Sequence, residues 1–224
     1  MLEYVERQPR VAIGLDFAFS FPRWFPRQLG VDSAPALWAH VADRGEEWLR
    51  ACEPPFWGRS GHARPPLIEQ FRATEQALRA AGAWPKSVFQ IGGAGAVGTG
   101  SIRGMHLLGE LHAAGAAVWP FDPPGWPLVL EIYPRLLTRV VVKSSATARA
   151  AYIAKRYPAL REWSIPSEDA FDAAVSALVM ARHANDFDVL PTATDAVERL
   201  EGHIWQPEGL NLPGGDRTGA ASVG

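Results

Sequence analysis

Four carboxylates in this chain have positions from which they can do chemistry. Asp16 closes the apolar run "VAIGLDFAFSFP" (11–22), and Glu131 lies near the end of "PLVLEIYP". Asp169 and Asp172 follow Ser167 and Glu168 in "SEDAFDAAVSALVMARHAN" (167–185). Each acid has a plain reading. Asp ends a strand by bonding to a nearby turn. Acids behind a Ser N-cap complement the helix dipole. Together they carry a stronger one. Carboxylates converging at the carboxyl edge of a parallel sheet repel one another unless a divalent cation lies between them. Their hard oxygens suit Mg²⁺ or Mn²⁺, and paired ions of this kind serve in-line attack on a phosphodiester.

The glycine run in "SVFQIGGAGAVGTGSIRGM" competes with that reading. Gly93, Gly95 and Gly98 fit G-x-G-x-x-G, placed between an expected strand and an expected helix. That is the outline of a dinucleotide site. Asp122 follows the next strand, 29 positions after Gly93, where the fingerprint expects about 20. A plain tight loop is one alternative. Another is a phosphate cradle of backbone amides with Ser101 and Arg103. His106 and His112 are six apart, the wrong spacing for one helix face. His183 suits a helix C-terminus. Ser20 and Cys52 have no evident base partner. The aromatics Phe17, Phe19, Phe21, Trp24 and Phe25 read as packing of the core or of a substrate loop.

These residues need elements to hold them. Residues 10–16 read as a buried strand of the parallel type. A helix follows over 32–52, capped by Asp32 or Ser33, with Leu37, Val41, Trp48 and Leu49 on its inner face. A loop (53–66), a helix (67–82) and a strand (87–91) lead to the glycine run. Beyond it come a helix (101–115), strands over 116–121 and 126–134, and a helix over 144–158. The helix 167–185 has the clearest pattern, with Phe171, Ala174, Val175, Leu178 and Val179 on one face. At about 100° per residue, Asp172 falls beside that stripe, Glu168 within it, and Asp169 away from it. A short helix and a strand in "GHIW" (202–205) close the pattern. Alternating strands and helices predict an α/β domain over 1–205. Residues 206–224 have the composition of a disordered tail.

Bulk composition narrows the classes. The 224 residues are 47% hydrophobic and 21% charged, with net charge −2, as expected of a soluble globular domain. No basic excess points to nucleic acid, so such a role needs a metal or a local patch. Cys52 is the only cysteine. That excludes an internal disulfide and a thiolate zinc cage, and fits a reducing cytoplasm. No run of about 18 apolar residues spans a bilayer. Oligomeric state is open at this point.

The ordered set of motifs resembles the family of predicted RNase H-like nucleases known as domain of unknown function 429. "VAIGLDFAFSFP" resembles its "AID-x-P-x-G-x-P" strand, and "LEIYPRLL" its "E-V/I-H/Y-P" strand. "EDAFDAAVSALVMARHA" resembles its "D-D-x-x-D-A-x-x-A" helix and is also similar to the acidic helix of Holliday-junction resolvases. "EGHIW" resembles its closing strand, and "KSVFQIGGAGAVGTGSIRGM" its middle segment in one branch. The match runs in order from about residue 10 to 205. It implies an RNase H-like mixed sheet with helices on both sides and a Mg²⁺- or Mn²⁺-dependent phosphodiester site. Asp16, Glu131 and Asp172 are then the metal ligands, with Asp169 as a fourth catalytic acid and Lys143 or Arg103 meeting phosphate. Family members carry an earlier strand with its own aspartate and a hairpin, and these residues do not precede Arg10 here. The resemblance therefore implies either a later start than the true one or a shortened, inactive form, and an open edge on strand 11–16. Nucleotide binding at the glycine loop and a non-catalytic scaffold remain as the other two readings.

Overall fold

The computed structural model describes residues 7–8, 10–66 and 68–209. Three strands form one sheet: β1 (Ala12–Leu15), β2 (Ala117–Val118) and β3 (Leu128–Glu131). Their spatial order is β1-β3-β2 and both pairings are parallel. A mixed sheet is the expectation from the resemblance; among the described residues this sheet is parallel throughout. The architecture is α/β, with helices on both faces.

Among the described residues, the helices α1 (Trp24–Gln28), α2 (Ala34–Ala51), α3 (Ala73–Ala80), α4 (Gly98–Ala113), α5 (Pro134–Thr138), α6 (Ala146–Arg156), α7 (Glu168–Arg182) and α8 (Glu198–Glu201) surround the sheet. Strand side chains alternate between faces. Ile13, Val118 and Val129 therefore join a core with Leu37, Trp38 and Met105 from α2 and α4. Ala12, Leu128, Leu130 and Ile132 look the other way, onto Met180 of α7, Phe187 and Trp205. On that face Gly14 leaves room for its neighbours: a Cβ there would lie 2.7 Å from the Met180 sulfur and 2.9 Å from Ile132 Cδ1, and both side chains would have to shift. The aromatic run after β1 is core. Phe19, Phe21 and Phe25 are buried, and Phe21 contacts Phe25 and Phe89 at ring centroid distances of 4.9 and 5.5 Å. Such pairs contribute about 0.5–1.5 kcal/mol each beyond burial. They hold down the segment that follows Asp16.

Three expected elements differ. The helix expected over 67–82 begins only at Ala73. Gln70 and Arg72 are buried ahead of it, and the Arg72 amide donates to Glu75 Oε2 at 2.9 Å to cap α3. Residues 87–91 are buried but turn instead of forming the expected strand. Ser87 Oγ accepts from the Phe89 amide and Gln90 N–H donates to Ser87 C=O, so local bonds replace a ladder. One bridge, Trp57 to Gln90, remains. In "GHIW" only the Trp205 amide reaches β3, donating to Glu131 C=O at 2.8 Å, and no strand forms. Of the expected tail, only 206–209 fall among the described residues, and Pro207 there is buried.

Candidate functional site at the carboxyl edge of the sheet

The expected acids separate into two groups. Leu15 is level with Glu131 in the β1–β3 register. Asp16, one residue on, has the parity of Gly14 and belongs to the face covered by α7. Ser167 caps α7 by accepting from the Ala170 amide at 3.0 Å, which sets Asp172 one turn inside the helix. Lys143, from the segment between α5 and α6, donates to Asp172 Oδ2 at 2.5 Å. The other oxygen, Asp172 Oδ1, is buried with no hydrogen-bond partner.

Asp16 keeps solvent exposure, yet its carboxyl is pushed up to about 6. Partial desolvation is the largest cause. The charges of Asp172, Glu131 and Asp169 add to it, and Lys143 opposes it. Asp16, Asp169, Asp172 and Lys143 are thus one electrostatic unit. Asp169 is exposed at its rim. Arg149, buried on α6, braces the unit from below. Its Nη1 donates to Lys143 C=O at 2.6 Å, and its Nη2 to the carbonyls of Ile165 and Pro166 just before α7. Sequence reading missed this role, because Arg149 looks like any polar residue of a surface helix.

Glu131 has a different environment. Both of its oxygens accept from the Arg72 guanidinium, and Oε2 also accepts from the Phe19 amide at 2.9 Å. Arg72 is fully buried. It also donates to Glu75 Oε1 through Nε and Nη2 and to Glu201 C=O through Nη1. The Glu201 carboxylate accepts from the amides of Arg23 and Ala73. Burial disfavours the Arg72 charge, but Glu131 and Glu75 outweigh it and hold the guanidinium above its usual range. Burial raises the Glu75 carboxyl, with Arg72 opposing. A cation can reach Glu131 only by displacing Arg72, so the expected metal-ligand role gives way to a structural one.

The phosphate cradle expected at the glycine loop finds its groups engaged elsewhere. Gly93 and Gly95 take positive φ, +78° and +72°, as a tight turn requires. A Cβ on Gly98 would lie 2.2 Å from Val88 C=O, and the Gly98 amide donates to Gln90 C=O. Ser101 is buried, donating to Val97 C=O and accepting from the Ala18 amide. Arg103 is exposed and paired with Glu46 at 2.7 Å. Asp122, the expected ribose acid, accepts from the Val118 amide. The loop closes on its own chain and supports the backbone beside Asp16.

Among the described residues no three His, Cys, Asp or Glu side chains stand together as a metal cage. Asp16 and Asp172, coupled through their charges and with Asp172 Oδ1 unpartnered, are the acids that a more hydrated ion would involve. Mg²⁺ is commonly held by one or two carboxylates plus water and substrate oxygens. A shallow pocket of about 70 Å³, lined by Asp16, Glu75, Lys86, Glu131 and Tyr133, opens at Asp16. No helix of the described residues is long and apolar enough to cross a membrane. No family model, curated protein or solved structure matches the chain.

Proposed function

We propose that the chain is a metal-dependent phosphodiester hydrolase of RNase H-like type, with its site at Asp16 and Asp172. The observation that carries this reading is the Asp16 carboxyl, pushed up to about 6 by desolvation and by neighbouring acids, beside a buried carboxylate oxygen with no partner. A carboxylate cluster strained by its own charge at the carboxyl edge of a parallel sheet favours a cation. Asp16 and Asp172 would hold Mg²⁺ or Mn²⁺, which when bound supplies a Lewis acid and a water of lowered pKa. Asp169, exposed at the rim, would be placed to hold a water. Lys143, beside Asp172, would be the cation placed to meet a phosphate oxygen of a nucleic acid or nucleotide. Glu131 and Arg72 form the rigid floor, and Arg149 fixes the spacing between Lys143 and α7.

Calorimetric titration with MgCl₂ and MnCl₂ tests the reading. Wild-type protein is expected to bind one ion, and Asp172→Asn and Asp16→Asn to abolish the heat. Glu131→Gln, in a chain that still folds, is expected to keep it. Affinity should weaken about tenfold between pH 7 and pH 5, as Asp16 takes up its proton and competes with the metal. No binding of either ion by folded wild-type protein overturns the proposal. Metal binding without cleavage of any single- or double-stranded DNA or RNA removes the hydrolase and leaves a metal-binding scaffold.

A further inference from the structure

Among the described residues, the edge of β1 that turns from β3 is unpaired. The Leu128 amide donates to Val11 C=O and the Ile132 amide to Leu15 C=O, so the odd-numbered residues of β1 serve β3. By the alternation of a parallel ladder, the backbone N–H and C=O of Ala12 and Gly14 point outward. They meet no strand among the described residues. A groove of about 400 Å³ runs along this edge, lined by Ala12, Gly14, Ser176, Ala177 and Ala181. Its far wall is α7, which presents Ala173, Ala177, Ala181 and, just past the helix end, Ala184, all exposed. In the same wall Ser176 is 1% exposed, and its Oγ has no hydrogen-bond partner.

We propose that this groove is the interface of a two-fold dimer, in which β1 pairs antiparallel with β1 of a second copy of this chain. Antiparallel partners exchange both bonds where outward-pointing residues face each other. The register that does this for Ala12 and Gly14 sets Ala12 opposite Gly14 of the other copy, with Ile13 on the two-fold axis. The same register sets Arg10 opposite Asp16 of the other copy, a cation facing an anion at each end. The next symmetric registers lose this match: one sets Ala12 against Ala12, the other Gly14 against Gly14. Arg10 bonds Asp188 through Nη2 at 2.7 Å, and its remaining donors are available to Asp16. With the axis perpendicular to the sheet, both copies of α7 lie over one face. Their alanines allow close approach, and Ser176 gains polar neighbours from the second copy. The two three-stranded sheets become one of six strands. Each Arg10 stands beside the other copy's candidate site.

Sedimentation velocity over a dilution series tests the dimer, with circular dichroism as the check on folding. Wild-type protein is expected to dimerise. Ala177→Glu, at an exposed position, should raise the dissociation constant at least about tenfold by setting like charges across the axis. Arg10→Glu and Asp16→Arg should each weaken assembly by a similar factor. The double variant, with the charges exchanged, should recover wild-type affinity within a few-fold. A wild-type chain that stays monomeric overturns the dimer and leaves the edge to a strand of some other protein. A dimer indifferent to Ala177→Glu overturns the interface. A double variant as weak as either single one overturns the register. None of these outcomes depends on metal binding or cleavage.

Discussion

Two acidic clusters lie within the same few residues of the sheet edge, and they are built on opposite terms. Around Glu131, every oxygen of the pair Glu131 and Glu75 meets Arg72 or an amide, and both side chains are buried. Around Asp16, water has access, one lysine serves several acids, and one buried oxygen has no partner. A buried ion pair with complete hydrogen bonding is a fixed part of the fold. A half-open group of like charges is strained until something positive arrives. The contrast separates a residue that frames the site from one that can act in it, although both are acids at strand ends.

The largest expected effect falls on the closed cluster. Arg72→Met leaves two carboxylates buried without a counter-charge and is expected to destabilise the fold by about 3–5 kcal/mol, read from urea denaturation. Adding Glu75→Gln and Glu131→Gln to that variant should recover most of the loss; if it does not, the cost lies in packing rather than in charge. A smaller effect belongs to the open cluster. Asp172→Asn removes the foremost charge that raises Asp16, so the Asp16 carboxyl should move from about 6 toward 3.8 in a carbon-13 NMR titration. The sign for stability follows. Between pH 3.8 and about 6 the folded chain holds a proton on Asp16 that the unfolded chain has released. This contribution is fully present below pH 3.8 and lost as pH rises through about 6. With exposure and screening it stays under about 1 kcal/mol, and Asp16→Asn should flatten it. The smallest effect is outside both clusters: Arg103→Ala breaks an exposed pair and should leave the melting temperature and any phosphate response unchanged.

The sequence made the first group of features legible because their signals are local. The apolar run ahead of Asp16, the Ser167 cap and the stripe through Phe171 and Val175 each need only neighbouring residues, and α7 appears within a few positions of its expected bounds. What stayed hidden depends on partners far along the chain. Arg72 and Glu131 are 59 positions apart, and no spacing rule links them, so Glu131 looked like one more metal acid. Arg72 itself was hidden inside an expected helix, because "LIEQFRATEQALRAAG" carries helix-forming residues throughout, while Gln70 and Arg72 are drawn into the core. The glycine run showed its turn but not its use. Only the close approach of Gly98 to Val88 reveals packing rather than a ligand.

One feature of the closed cluster reaches into how the molecule comes to exist. Its last members come from α8: Leu200 C=O accepts from Ser20 Oγ, and Glu201 ties the amides of Arg23 and Ala73. The first and last are separated by 180 positions. During synthesis the aromatic segment after β1 emerges long before the carboxylate that fastens it. Contacts so distant form late. The edge that bears Asp16 therefore stays unlatched on the ribosome until α8 has emerged, and any chemistry it performs must wait for that helix.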